Sequence, residues 1–333
     1  MVDVAAASGV TKSVVSRVLN GDPSLHIRDE TRTRILDQAT ALSYEPHAGA
    51  KALAGARPDA LALLIPDLTN AVYARIARGA YQRAREHGYV VLLAEDTEDS
   101  HAQSDYTDLV SAGRVEGLLI ASSREGHPLL APGRLDNIPH VFVNRSVPNS
   151  RRNVSIDLAG ASAIAYQYLY RLGHRKLGHI SGPGELMPAR EREAGFVGAA
   201  VAAGEPAPMV VHVAYSVEGG YRGTRQLLEQ HPDITAIYAG TFQQAVGSLK
   251  ALHSLRIRIP EDVSVLSYDD LPVAEFLEPS LSAMALPLLE LGRASVDALV
   301  EQLQGEPPRD MLLGHDAAII ERSSTGRPPA AGR

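Results

Sequence analysis

The chain has 333 residues, with 45% apolar and 21% charged residues, no cysteine and a net charge of −7. That length predicts two or three domains, and the lack of cysteine excludes a disulfide framework and any thiolate chemistry. The acidic balance argues against a chain coated in nucleic acid, and no apolar run reaches the ~18–20 residues that span a bilayer.

Charge is spread unevenly. Residues 1–57 carry seven cations against six acids, a net +1, and the remainder of the chain is −8. Any nucleic-acid contact is therefore expected on one face of the N-terminal segment. The first residues also lack the basic, apolar and small-residue order of a secretory leader, which with the missing cysteines points to the cytoplasm.

The N-terminal segment reads as helices only. "VDVAAASGV" predicts a short helix stopped at Gly9, which takes a left-handed turn without strain. "TKSVVSRVLN" predicts a second, with Thr11 as its N-cap, Val14, Val15, Val18 and Leu19 on one face, and Lys12, Ser13, Ser16 and Arg17 on the other. Two short helices joined through a glycine turn are the sequence form of a helix-turn-helix. A third helix, about 28–42, places Ile35, Ala39 and Leu42 together. "YEPHAGAKALAGARPDA" then reads as a marginal helix in a linker, weakened by Gly49 and Gly55, or as a plain tether.

From Ala60 the texture changes. "ALALLIP", "YVVLLAE", "GLLIAS", "HVFVN", "KLGHIS", "MVVHV", "TAIYAG" and "DVSVLSYD" are short apolar runs. Amphipathic segments at 71–87, 102–113, 158–172, 189–203, 218–231 and 242–254 lie between most of them. Strands buried on both faces and alternating with helices predict parallel sheets covered on both sides. There are too many strands for one small sheet, so two doubly wound lobes are expected, with a ligand cleft beyond their carboxyl strand ends. A helix at 287–304 and a strand pair near "MLLGHDAAIIERSST" close the core, and 328–333 is expected to be disordered.

These residues also carry a family likeness. "DVAAASGVTKSVVSRVLNG" resembles the headpiece of the lactose-repressor (LacI/GalR) family of bacterial transcription regulators, and "YEPHAGAKALAG" resembles that family's hinge helix. "LLIPDLTNAVYARIARGAYQRAREHGYVVLLAED" and "IDLAGASAIAYQYLYRLGHRKLGHISGP" resemble the openings of its two lobes, and "AREREAGFVGA", "DVSVLSYDD" and "IIERSST" match later landmarks. The resemblance covers nearly the whole chain in order. It implies a helix-turn-helix headpiece at 1–45, a hinge at 46–57 and a two-lobed core, resembling periplasmic sugar-binding proteins, at 58–327. Lobe 1 would take about 58–156 and 286–314, and lobe 2 about 157–285 and 315–327.

The likeness implies a DNA-binding regulator, most simply a repressor, that binds a pseudo-palindromic double-stranded operator as a homodimer. Lys12 and Ser13 would touch base edges in the major groove, with Arg17 at a third groove-facing position and Ser16 near phosphate. Leu53 would wedge into the minor groove at the operator's centre. Leucine-rich heptads of a tetramerising tail are missing. Family members begin several residues earlier, with a threonine capping the first helix; by alignment Met1 falls inside that helix.

The likeness further implies a small-molecule effector, sugar-like, in the cleft. The candidates are Asp67, Asn70, Tyr73, Ser122, Asn144, Arg145, Arg192, Thr241 and Asp269, of which Arg192 and Asp269 match best. Two departures thin this set. Thr241 and Phe242 stand where the family commonly has Asn-Asp, and Leu286 stands where many members have glutamine. The effector is then expected to be less hydroxylated than a simple hexose, or larger, or absent.

Other chemistries find no signature. His174 and His179 lie where loop turns into strand and share no helix face, while His127, His140 and His212 are scattered, so metal ligation is not expected. There is no G-x-S-x-G elbow, "GPGELM" lacks the third glycine of a dinucleotide site, and no cofactor or catalytic residue is assigned. A solute-binding protein for uptake is the alternative the core would permit, and the headpiece argues against it.

Overall fold

The structure, a computed structural model, describes residues 1–19, 22, 24–42, 44, 59–96, 107–121, 127–313 and 317–330. The hinge segment with Leu53, and Ser122, lie outside the described residues. The chain divides into two compact units, Met1–Pro58 and Asp59–Arg333.

The first unit holds three helices: α1 (Val2–Ser8), α2 (Lys12–Leu19) and α3 (Asp29–Ala41). Gly9 caps α1 at φ 65°, and its amide returns to the Ala5 and Ala6 carbonyls. Met1 occupies the N-cap of α1 without a side-chain cap hydrogen bond. Thr11 Oγ1 accepts from the Val14 amide at 3.4 Å, a long capping bond at the start of α2. Val4, Val15, Val18, Leu25, Ile35 and Ala39 close the core. Leu42 departs from expectation: α3 ends at Ala41, and Leu42, at its C-cap, is 46% exposed.

The second unit is two doubly wound lobes. Lobe 1 contains β1 (Ala60–Ile65), α4 (Ala71–Glu86), β2 (Val90–Glu95), β3 (Gly117–Ile120), β4 (His140–Val143) and β5 (Asn153–Ile156). Of the expected 102–113 helix, residues 107–113 are described: 107–111 are helical and the chain turns at 112–113, two residues short of the expected end. Lobe 2 contains α5 (Leu158–Leu172), β6 (Leu177–Ser181), α6 (Met187–Ala202), β7 (Met209–His212), α7 (Val217–Gln230), β8 (Ala236–Ala239), α8 (Phe242–Ser254), β9 (Ser264–Ser267) and β10 (Ser282–Ala285). The chain returns to lobe 1 for α9 (Leu288–Leu303) and β11 (Met311–Leu313), then to lobe 2 for β12 (Ala318–Ile320).

The sheets run β11-β5-β4-β3-β1-β2 and β12-β10-β9-β8-β6-β7. All pairings are parallel except β10 with β12. The last two strands do not pair with each other; β11 finishes an edge of the lobe 1 sheet and β12 an edge of the lobe 2 sheet. Central strands are buried throughout, whereas edge strand β2 leaves Val90, Leu92 and Leu93 exposed, because one side has no neighbouring strand. Residues 328–330, expected to be disordered, are described, and Pro328 lies against Gly173.

Helices α4 and α9 cross on lobe 1 at glycines. A Cβ at Gly292 would overlap the Ile76 carbonyl oxygen and come within 2.8 Å of the Ala80 amide nitrogen, and one at Gly79 would sit 2.9 Å from the Leu289 carbonyl carbon. Lobe 2 buries an aromatic stack in which Tyr238 lies 4.6 Å from Phe196 and 4.8 Å from His179. His174 bonds Thr235 and the Gly326 carbonyl, and His179 Nδ1 donates to the Tyr238 carbonyl, so both are engaged by protein.

Burial pushes His140 and His179 down to about 4. Each is neutral in the fold and titrates near 6.5 when unfolded, so the unfolded chain takes up more protons between those values. The stability they contribute is present above about pH 6.5 and lost as pH falls toward 4. The core should melt several degrees lower at pH 5 than at pH 7.5, roughly 1–2 kcal/mol per histidine. A melting temperature flat across that range in calorimetry would contradict this.

Candidate nucleic-acid interface and effector cleft

In the headpiece, Val15 and Val18 anchor α2 and turn its other face outward. Lys12 and Ser13 are exposed at its first turn, and Ser16 and Arg17 are half-buried. Arg17 differs from a free groove-facing cation. Its Nε donates to Asp22 at 2.7 Å and its Nη2 to Ser24 at 3.0 Å. The Arg17 guanidinium, the Ser24 hydroxyl and the Ser24 amide all donate to the Asp22 carboxyl and hold it down to about 2. The pairing takes two of the five guanidinium N–H donors and holds the Arg17 side chain against the loop that follows α2.

In the core, the carboxyl ends of both sheets meet a cavity of about 150 Å³. Lobe 1 contributes Asp67, Asn70, Tyr73 and Asn144 to its lining, and lobe 2 contributes Arg192, Thr241 and Asp269. Strand geometry explains the placement. Asp67 and Asn144 follow the ends of β1 and β4, and Thr241 and Asp269 follow β8 and β9, the positions where doubly wound sheets bind ligands. Asn70 caps α4 by accepting from the Val72 amide at 3.1 Å, and Thr241 caps α8 by accepting from the Gln244 amide at 3.2 Å. Asp67 Oδ1 is occupied by the Thr69 amide at 2.7 Å and by its hydroxyl. Asn144 sits at φ 56°, a left-handed turn that asparagine tolerates.

Arg192 is the centre of the lobe 2 wall. It is 8% exposed, and its Nη1 donates to the Gly240 carbonyl at 2.9 Å and to the Tyr215 hydroxyl at 3.3 Å. Its guanidinium lies 4.1 Å from the centre of the Tyr268 ring, a cation–π contact. Nε has no hydrogen-bond partner. Burial disfavours its charge, but Tyr215, Tyr268 and Asp269 outweigh that and hold the guanidinium above its usual range. Burial pushes the Asp269 carboxyl up, opposed by Arg192 and by the Phe242 amide, which donates to it at 3.4 Å. Burial likewise pushes the Tyr73 hydroxyl up to about 12. The tyrosines are neutral hydroxyls at physiological pH.

Arg145 stands apart from the cavity lining. It is 6% exposed, with its guanidinium 5.4 Å from the Phe142 ring and its Nε and Nη1 unpartnered. Phe242 turns into the apolar core of lobe 2. Sequence reasoning missed Tyr215, Tyr268, Leu186, Pro188 and Leu288, which also line the cavity. Tyr268 directly precedes Asp269 at the end of β9, a placement that should have flagged it. Across the cleft, Arg75 of α4 donates to the Asp270 carbonyl at 2.9 Å and ties the lobes together.

Two sequence families match. Residues 1–47 match the bacterial regulatory proteins, lacI family, and residues 166–325 match the periplasmic binding protein-like domain. The ribose operon repressor of Halalkalibacterium halodurans is 30% identical over 327 residues, spanning 97% of this chain and 96% of the relative. The chain belongs to the LacI family of transcriptional regulators.

A solved structure of the regulator CelR with cellobiose matches this LacI-family chain at 29% identity and TM-score 0.75, covering 97% of this chain and 98% of that one. The lac repressor dimer bound to operator and the anti-inducer ONPF matches at TM-score 0.85 and 24% identity, covering 97% and 98%, and establishes the fold. The chain is thus a DNA-binding regulator with a periplasmic-binding-protein-like effector domain, in a family of regulators and not of enzymes. Among the described residues, no cluster of His, Asp and Glu could hold a metal, and no helix is long and apolar enough to cross a membrane.

Proposed function

We propose that this regulator is a cytoplasmic repressor that binds a pseudo-palindromic operator as a homodimer and is controlled by a sugar-like small molecule in the interlobe cleft. The observation that carries the reading is the outward face of α2, where Lys12 and Ser13 stand exposed on a helix anchored by Val15 and Val18. Such a helix suits the major groove, where lysine donates to guanine. Arg17 and Ser16 would complete the contact, with Leu53 as the minor-groove wedge.

The cleft reading is supported by the seven polar or aromatic candidates that line one cavity. A ligand that bound the closed and open lobes differently would shift the balance between DNA-competent and released forms. The dimer is supported by exposed apolar groups in both lobes. An uncovered apolar edge strand is an aggregation hazard, and β2 presents Val90, Leu92 and Leu93. In lobe 2, Val273 and Phe276 are exposed on the turn Pro272–Phe276.

The decisive experiment is fluorescence anisotropy with DNA from upstream of the protein's own gene, at several salt concentrations. Specific binding should be nanomolar, fall steeply with salt and saturate at two chains per site. Lys12→Ala should weaken it by about tenfold or more. Binding with no sequence preference, or none at all, would count against the proposal. Leu93→Lys should give monomers in sedimentation and a loss of operator affinity of about a hundredfold or more, since a charge buried at an interface core costs several kcal/mol. A Leu93→Lys dimer of unchanged affinity would exclude β2 from the interface.

A further inference from the structure

Arg75 lies on the helix whose cap and first turn supply Asn70, Val72 and Tyr73 to the cavity, and is itself outside the lining. It is half-buried, and its Nη1 reaches from lobe 1 to lobe 2, donating to the main-chain carbonyl of Asp270 at 2.9 Å. Both ends of this bond are fixed to their own lobes. On α4 the next residue, Ile76, is fully buried. In lobe 2 the Asp270 carboxylate lies 2.8 Å from Nη1 of Arg322, which also donates to the Leu281 carbonyl at 2.6 Å. Beyond Asp270, Leu271 and Ala274 are 7% and 0% exposed, and the Ala274 amide donates to the Leu271 carbonyl at 2.8 Å. A movement of one lobe against the other therefore breaks the bond, because neither end sits on a loose loop that could follow.

The place of the bond ties it to both surfaces that matter in the core. Asp270 stands between Asp269, in the cavity wall, and the turn Pro272–Phe276, where Val273 and Phe276 are exposed. A guanidinium donating to a carbonyl is a charge-assisted bond, stronger than a neutral one, and this one uses no group inside the cavity. We infer that Arg75 is a positioning residue that latches the two lobes closed, whatever the cavity contains. It sets the balance between closed and open cores that a ligand then shifts. A ligand that prefers the closed core gains apparent affinity in proportion to the closed fraction. The step from this balance to operator binding rests on the function proposed above.

Distances between spin labels on the full-length protein test the latch. The chain has no cysteine, so Arg114→Cys in lobe 1 and Glu229→Cys in lobe 2, both exposed, take the labels without background. Dilution with unlabelled protein confines the reading to distances within one chain. Arg75→Met keeps the stem and removes the donors, and should lower the ratio of closed to open cores by about tenfold to a hundredfold. Arg75→Ala should do the same. Asp270→Asn should leave the distances as they are, because the acceptor is main chain. Native distances in either folded Arg75 variant overturn the inference, and so does an opening by Asp270→Asn as large as that by Arg75→Met. Operator anisotropy on the same samples keeps the two readings apart. Lobes that open in Arg75→Met, in a protein that binds no operator, leave the latch standing and count against the proposed function.

Discussion

Ile35→Ala is expected to abolish operator binding while leaving the core's unfolding transition in place. Ile35 is fully buried on α3, where it packs with Val4, Val15, Val18, Leu25 and Ala39. Truncating a buried isoleucine costs about 2–5 kcal/mol through lost transfer energy and the cavity left behind. Folded domains hold only about 5–15 kcal/mol in total, and a unit this small lies at the low end. The substitution therefore removes most of the headpiece's stability, and α2 loses the platform that presents Lys12 and Ser13. The core belongs to a separate unit, Asp59–Arg333, and should keep its melting temperature. Calorimetry and anisotropy on one preparation check both halves, and operator affinity within tenfold of wild type would refute the expectation.

Gly292→Val should be the most damaging single change in the core. The α4–α9 crossing brings backbone to backbone at Gly292, so a side chain there meets the Ile76 carbonyl and the Ala80 amide rather than a side chain that could move. Overpacking typically costs about 1–3 kcal/mol, and a β-branched group against rigid backbone should reach about 3 kcal/mol or more. The midpoint of urea unfolding should fall accordingly. Gly292→Ala supplies a test of sign. Alanine gains about 1 kcal/mol of helix propensity over glycine, so without the close approach it would stabilise. The crossing predicts net destabilisation, and a higher midpoint for Gly292→Ala would refute it.

The apolar runs of the core were legible because central strands of a covered parallel sheet are apolar on both faces. β5, "NVSI", and β10, "SAMA", escaped because they are short and their polar members are satisfied within the fold. Asn153 bonds Asp310 and the Val147 backbone, and Ser282 bonds Thr325. Arg192 and Asp269 were readable from the family pattern. Tyr215 was not, because it reaches Arg192 from a loop 23 residues further along the chain. The Arg17–Asp22 pair went unread as well, since nothing in a helix-turn-helix pattern marks a cation that the following loop engages.

Lobe 1 takes its final strand from Met311–Leu313, and α9 packs against α4 from nearly as far along the chain. During translation the reading head would emerge and fold first, while the sensing body stays unfinished until almost the whole message has been decoded. A nascent polypeptide halted before α9 would have residues that recognise DNA but neither a complete first lobe nor a finished effector pocket. On the proposed reading, control by an effector would thus be a property the ribosome confers only in its last steps.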